Sequence, residues 1–480
     1  MKLTSAQVSL LGDTISLEPK TGWFKVTNPA DGSVLAYVKD GSAADTTAAI
    51  TAADLAFAGW SGMTAKARST LLKKWNDLVL SHLEDLALLV TLEQGRPIKE
   101  TRGEVTYGAS FIEWFAEEAK RAYGRTIPAT TPGKHLQTIK QAVGVCAAIT
   151  PWNFPISMIT RKVSPALAAG CTVVIKPSEE TPLSALALYV LARKAGLPDG
   201  VINIVNSTTA RAVGEAMTSD PRVKKLSFTG STPVGKLLYA QCAPTMKKIS
   251  MELGGNAPFL VFDDADIDEA VEGALASKYR NTGQTCVCAN RLLVQSGIYD
   301  SFAARLTERV KAMKLEAGWN ESSQLGPLIN QKAIDKVKGL VDDAVSKGAQ
   351  VEVGGHVSGL FYEGTVLTGV THDMEIFDTE IFGPVAPLFR FETEEEGIAL
   401  ANDTPFGLAA YAYTRDIGRA MRVAAKLEYG MVGMNDGLIS TEVTPFGGVK
   451  ESGLGREGAA EGLDEYLNIK YISYGGLGAI

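Results

Sequence analysis

Four short apolar runs, at residues 143–149, 171–176, 201–205 and 225–228, are each followed by a helix-like stretch. Buried strands alternating with helices specify a parallel sheet covered on both faces. Such a sheet binds ligands outside the carboxyl ends of its strands. The residues to read are therefore those at and just after each run. These are Thr150, Pro151, Trp152 and Asn153 after the first, Lys176, Ser178 and Glu179 around the end of the second, and Thr229, Gly230 and Ser231 after the fourth.

The stretch Phe228-Thr229-Gly230-Ser231, leading into a helix through Gly235, has the build of a dinucleotide site, where glycine lets backbone amides and a helix N-terminus approach a pyrophosphate. Glu179 stands where an acid accepts bonds from a ribose diol and repels a 2'-phosphate; a first-turn acid that complements a helix dipole would look the same. The string GxGxxG occurs at Gly453, Gly455 and Gly458, but no apolar strand precedes it, so a surface loop is expected there. Glu252 precedes Gly254-Gly255, as suits an acid that approaches a reacting centre closely or, more plainly, one that makes a salt bridge or a cap.

A chain of 480 residues exceeds one compact core, so two or three domains of roughly 100 to 200 residues are expected. Helical periodicity marks residues 45–60, 67–93 and 104–123, with Leu71, Trp75, Leu78, Leu86 and Leu89 on one stripe. A second α/β pattern runs from residue 292 to about 430, and a strand-like run at 466–471 without an evident partner reads as a subunit-pairing edge, with residues 124–140 as a companion hairpin. A net charge of −7 supplies no basic field for nucleic acid. Residues 141–160 carry no charge, yet Pro151, Asn153 and Pro155 interrupt them, and no membrane span is expected. Five scattered cysteines and an N-terminus without an apolar leader suggest a reducing, cytoplasmic setting. No metal site is expected.

Residues 279–291 (YRNTGQTCVCANR) place Cys286 and Cys288 after a Gly-Gln-Thr turn, between Arg280 and Arg291. Positive neighbours favour a thiolate and turns lie near solvent, so these thiols read as reactive; the alternative is two small buried fillers. The four histidines, His82, His135, His356 and His372, lack the context of a Cys-His pair. Cysteine, a nearby carboxylate and a dinucleotide suit aldehyde oxidation. A thiohemiacetal gives up hydride where a free aldehyde cannot, and a carboxylate such as Glu252 then activates the water that releases the acyl group. Asn153 supplies an amide donor for the oxyanion.

The strings TPWNFP (150–155), KPSEETP (176–182), FTGSTPVG (228–235), ELGGNAP (252–258), GQTCVCANR (283–291), EIFGPV (380–385) and PFGGVKESGLGRE (445–457) resemble those of the aldehyde dehydrogenase superfamily, in order and from end to end. The resemblance implies an α/β fold: a Rossmann-type cofactor domain (1–123 and 141–252), an α/β catalytic domain (253–455) and a small β oligomerisation arm (124–140 and 456–480), in a homodimer or homotetramer. It implies Cys286 as nucleophile, Glu252 as base and Asn153, with the nucleophile's own amide, as oxyanion hole. Thr150, Pro151, Trp152, Lys176, Ser178, Glu179, Gly230, Ser231, Glu380 and Phe382 match cofactor positions, Glu380 and Phe382 lying around the nicotinamide ribose. NAD is the expected cofactor, because Glu179 opposes a 2'-phosphate, with NADP possible through Lys176. NFPISMITRK and KYRNTGQTCVCANR most resemble the succinate-semialdehyde branch. There Arg161, Arg280 and a hydroxyl near Ser440 hold a carboxylate, unless either arginine is a structural ion pair; glutarate semialdehyde is the runner-up substrate. That branch includes members in which such neighbouring thiols act as a redox switch, which implies a switch between Cys286 and Cys288, or else Cys288 as filler.

Overall fold

The computed structural model of the chain describes residues 1–476; residues 477–480 of the expected C-terminal arm lie outside the described residues. The apolar runs become a six-stranded sheet in the order Gly453–Leu454, Lys248–Glu252, Val223–Thr229, Val145–Ile149, Thr172–Lys176, Ile202–Ile204. All neighbours are parallel except the first pair. From its central strand, Val145–Ile149, the chain winds outward through Thr172–Lys176 and Ile202–Ile204, then returns to the opposite side at Val223–Thr229. The reversal opens a crevice between the carboxyl ends of Val145–Ile149 and Val223–Thr229, the place where such sheets receive ligands.

A seven-stranded sheet follows, with Ala257–Val261 and Ala289–Gln295 side by side at its centre. Its strand Ala409–Tyr413 is buried along its whole length, as sheets covered on both faces require. The third sheet joins Leu467–Gly475 to Lys134–Ala142 and Arg125–Ile127. The C-terminal run thus has a partner within the chain, in register from Leu467 opposite Ala142 to Gly475 opposite Lys134. Its outer edge still carries exposed Ile469, Tyr471 and Tyr474.

Three local expectations change. The helix expected over 67–93 is two, Ala65–Ser81 and Leu83–Gln94, because His82 leaves helical geometry at φ −107°, ψ 21°. Residues 1–40 read from sequence as short strand-like pieces and turns, yet Ser5–Leu11 is helical, held by a reciprocal cap between Thr4 and Gln7. The Gly453 segment is not a surface loop: it pairs antiparallel with Met251 and Glu252 and carries Glu457 into the interior. No helix among the described residues is long and apolar enough to cross a membrane.

Candidate active site

The cysteine turn is built on strained backbone. Asn281, Thr282 and Gly283 all adopt positive φ, at 51°, 55° and 75°, a conformation that side-chain-bearing residues rarely take. Gly283 is obligatory, since a Cβ there would lie 2.1 Å from the Gly383 carbonyl oxygen. That contact locks the turn against the loop bearing Glu380 and Phe382. Buried amides fix it further: Gln284 accepts from the Ile329 N–H at 3.0 Å, and its carbonyl accepts from the side-chain amides of Asn153 (3.0 Å) and Asn281 (3.2 Å). Asn153 is thus pinned beside the nucleophile's turn with one amide hydrogen to spare. The Cys286 N–H donates to no backbone acceptor among the described residues. Two donors therefore stand ready for a developing oxyanion.

Cys286 lines a cavity of about 270 Å3 with Trp152, Asn153, Gly230, Gly254, Glu380 and Phe382 among its walls. The residue is half-buried and contributes to the cavity wall. Burial pushes its thiol up to about 12; Arg161 pulls it down, Glu252 and Glu380 push it up and Arg280 pulls it down. The expectation that the flanking Arg280 and Arg291 yield a thiolate is thereby corrected, because desolvation outweighs Arg280, and the Arg291 guanidinium is taken up by the Leu400, Asn256 and Ala401 carbonyls. Glu252 is buried with both carboxylate oxygens unpartnered. Burial first, then the charge of Glu457, raises it well above the usual carboxylate range against the pull of Arg161 and Lys162. The Cys286 thiol thus rests protonated at neutral pH, which makes its deprotonation part of any reaction at this sulfur.

The cofactor-side residues converge as the sheet dictates. Thr150, Pro151 and Trp152 follow one strand, Gly230 and Ser231 another, and Ser231 precedes the helix Thr232–Cys242. Lys176 is buried, its ammonium 3.1 Å from the Pro177 carbonyl oxygen and 3.2 Å from a Glu179 carboxylate oxygen. Ser178 is buried, and its hydroxyl accepts from the Glu180 N–H. Phe382, at φ 55°, meets Trp152 edge-on at 5.6 Å. Glu380 accepts from the Gly255 N–H at 3.2 Å, and a Cβ on Gly254 would lie 3.2 Å from its other oxygen. The Thr150 and Thr229 hydroxyls are buried without partners at the two lips of the crevice. A bare-backbone cradle with orphan hydroxyls fits a dinucleotide.

On the far side of the sulfur, Arg161 stacks at 4.1 Å on Phe446 and its Nε binds Glu457, which Lys162 also holds. Arg161 is therefore partly the structural ion pair allowed for above, yet its Nη2 remains buried and unpartnered. Arg280 lies 5.5 Å from the Phe154 ring, with its Nε also buried and unpartnered. Both act on the Cys286 thiol. Ser440 is half-buried in the loop after Met431–Met434, and its hydroxyl bonds to neither arginine. Cys288 is buried behind the turn, its thiol donating to the Lys278 carbonyl at 3.1 Å, and it does not line the cavity. Sequence reasoning missed Lys162, Glu457 and Asn281. For Glu457 the only signal was an acid inside a glycine-rich string, and its partners lie almost 300 residues away.

A crevice for a dinucleotide opening onto a cysteine, with an acid and a carboxamide beside the sulfur, defines an oxidoreductase working through a covalent sulfur adduct. The profile of the aldehyde dehydrogenase family matches residues 17–472, and the chain belongs to that family. It is 58% identical, over 94% of its length and 86% of the relative's, to a rice protein named mitochondrial succinate-semialdehyde dehydrogenase. It is 57% identical to a Pseudomonas putida glutarate-semialdehyde dehydrogenase, over 93% of each chain. An Escherichia coli protein named as an NADP+ succinate-semialdehyde dehydrogenase shares 56% identity over 94% of each. The crystal structure of an aldehyde dehydrogenase from Brucella melitensis biovar abortus superposes with a TM-score of 0.95 at 59% identity, covering 97% of this chain and 98% of that one.

Proposed function

We propose that this enzyme oxidises succinate semialdehyde to succinate. One observation carries the reading: Arg161 and Arg280, from separate elements, both project their charge onto Cys286 and each keeps a buried N–H without a partner. An aldehyde carbon held at the sulfur places a carboxylate a few bonds away among those donors, and guanidinium is the group that best fits it. Ser440 contributes a hydroxyl from its loop. Glutarate semialdehyde is the second reading, because one methylene is worth about 1 kcal/mol in a pocket and a relative of that name is nearly as similar.

Cys286 gives its proton to solvent and adds through sulfur to the aldehyde carbon; the new oxyanion is held by Asn153 and the Cys286 N–H. NAD(P)+, when bound in the crevice, is the acceptor that takes the hydride. A thioester remains on Cys286. Glu252 takes a proton from the water that attacks this thioester, and carboxylate departs as sulfur is released. Thr150, Pro151, Trp152, Gly230 and Ser231 would hold the cofactor's pyrophosphate side, Lys176, Ser178 and Glu179 the adenosine ribose, and Glu380 and Phe382 the nicotinamide end. NAD is preferred, since Glu179 meets a 2'-phosphate with like charge; Lys176 beside it leaves NADP usable. Peroxide joins Cys286 to Cys288 as a disulfide, two thiols giving up two hydrogens as peroxide becomes two waters, and thiol reductants restore activity. The edge Leu467–Gly475 pairs subunits in a homo-oligomer.

Steady-state kinetics with succinate semialdehyde, glutarate semialdehyde and butanal, each with NAD+ and NADP+, test this. The carboxylated aldehydes should exceed butanal in kcat/KM by about tenfold or more, as a charge-assisted pair supplies, and NAD+ should lead. Equal efficiency on butanal would remove the substrate assignment.

A further inference from the structure

The helix Ile98–Glu118 packs against Ser157–Ala169, the helix that carries Arg161. The approach is fixed by Glu104, whose carboxylate pairs with Arg96 and accepts from the Ile156 (2.8 Å) and Ser157 (3.2 Å) N–H groups. One turn further along, Tyr107 sets its ring edge-on to Phe111, with centroids 4.9 Å apart. Its hydroxyl is buried and has no hydrogen-bond partner. This is an unusual place to leave a phenol, because a buried donor without an acceptor is costly and protein interiors rarely keep one.

The surroundings name the missing acceptor. The groups acting on the Tyr107 hydroxyl are the cations Arg161 and Arg280, followed by the acids Glu457 and Glu442. Glu457 is already engaged by Arg161 and Lys162, and Glu442 by Thr441. The two arginines are the same two that face Cys286. Three buried donors are therefore unsatisfied, Arg161 Nη2, Arg280 Nε and Tyr107 Oη, and the charge of both arginines reaches the phenol as well as the Cys286 thiol. They arrive from three elements, one on each long helix and one on the turn before the nucleophile. Donors without acceptors, two of them cationic, call for an anion.

Building on the proposed function, we infer that Tyr107 is a specificity residue: its hydroxyl donates a further hydrogen bond to the far carboxylate of the substrate, beside Arg161, Arg280 and Ser440. Burial raises the phenol, the two arginines opposing it, so the hydroxyl keeps its proton and acts as a donor. The Phe111 contact and the Glu104 cap hold the helix whether or not substrate is present. This donor is thus preorganised, and it contributes to selecting a carboxylate over an uncharged end of similar size.

Tyr107→Phe removes the hydroxyl alone. With saturating cofactor, the variant should show a KM for succinate semialdehyde raised about tenfold, the scale of a hydrogen bond to a charged group. Its kcat should stay within about twofold, and both constants for butanal should match wild type. Succinate, used as a dead-end inhibitor of butanal oxidation, should weaken in parallel with that KM. Unchanged KM for succinate semialdehyde would overturn the inference. So would an equal loss on butanal, which would make Tyr107 a packing residue. Tyr107→Leu, lacking the ring as well, separates the two: loss on both aldehydes there, with loss on succinate semialdehyde alone in Tyr107→Phe, assigns the selectivity to the hydroxyl. Failure of the proposed function looks different, since wild type itself would then treat both aldehydes alike and the inference would fall with it.

Discussion

The two sides of Cys286 are built in opposite ways. On the cofactor side the walls are backbone: Gly230, Gly254 and the strand ends around Thr150 form a cradle whose shape follows from sheet topology. On the side proposed for the substrate the walls are charges, with Arg161, Lys162, Glu252 and Glu457 all buried. A backbone site tolerates change in its side chains and is unforgiving of an added Cβ. A charge cluster behaves the other way, because removing one member leaves another buried and uncompensated. Position in the fold sets the first kind of site, and long-range pairing sets the second.

Cys286→Ala separates the two sides most completely. Oxidation should fall by about 10^4-fold or more, since no other group replaces a covalent nucleophile, while cofactor affinity measured by fluorescence titration stays at the wild-type value. Loss of cofactor binding would show that the two sides are not independent. Arg161→Ala tests the cluster as structure. Glu457 would retain only Lys162 in a buried setting, so the variant should lose roughly 3 to 5 kcal/mol of stability; an unchanged Tm would mean that the pair contributes nothing to the fold.

How far the sequence could be read follows the same division. The crevice was legible because parallel strands announce themselves as apolar runs and ligands gather at their ends, so Thr150, Glu179 and Gly230 could be placed from local pattern alone. The charge cluster was not. Glu457 sits in a glycine-rich string that looks like a loop, and only antiparallel pairing with Met251 and Glu252 brings it to Arg161. Such pairing leaves no periodic trace. The thiol was misjudged for a related reason: neighbouring arginines can be seen in the string, whereas the desolvation that opposes them comes from the whole fold.

That desolvation has a pH signature. The thiol is the neutral form, so a pKa pushed up to about 12 means fewer thiolates at any lower pH, and their number rises tenfold per unit towards it. Alkylation of the cofactor-free enzyme by iodoacetamide, followed at Cys286 by peptide mass spectrometry, should accelerate about tenfold per pH unit from 7 to 10. A plateau by pH 8 would place the thiol below the ordinary cysteine range and restore the arginines as the dominant influence.

A smaller effect concerns the back of the turn. Cys288 lies behind Cys286 with its thiol on the Lys278 carbonyl, so a disulfide between them requires the turn to rearrange. After mild peroxide and then dithiothreitol, wild type should regain most of its activity, while Cys288→Ala should remain inactive through over-oxidation of its lone thiol. Equal recovery in both would leave Cys288 as filler.

The central claim is that charge on the substrate side selects the substrate, and Arg280→Ala addresses it with least disturbance, because Arg280 makes no salt bridge within the chain among the described residues. Its kcat/KM should be measured on succinate semialdehyde and on butanal in parallel. The account predicts a loss of roughly 1.5 to 3 kcal/mol, or about 10- to 150-fold, on the carboxylated aldehyde alone. An equal loss on butanal, or none on either, would contradict it.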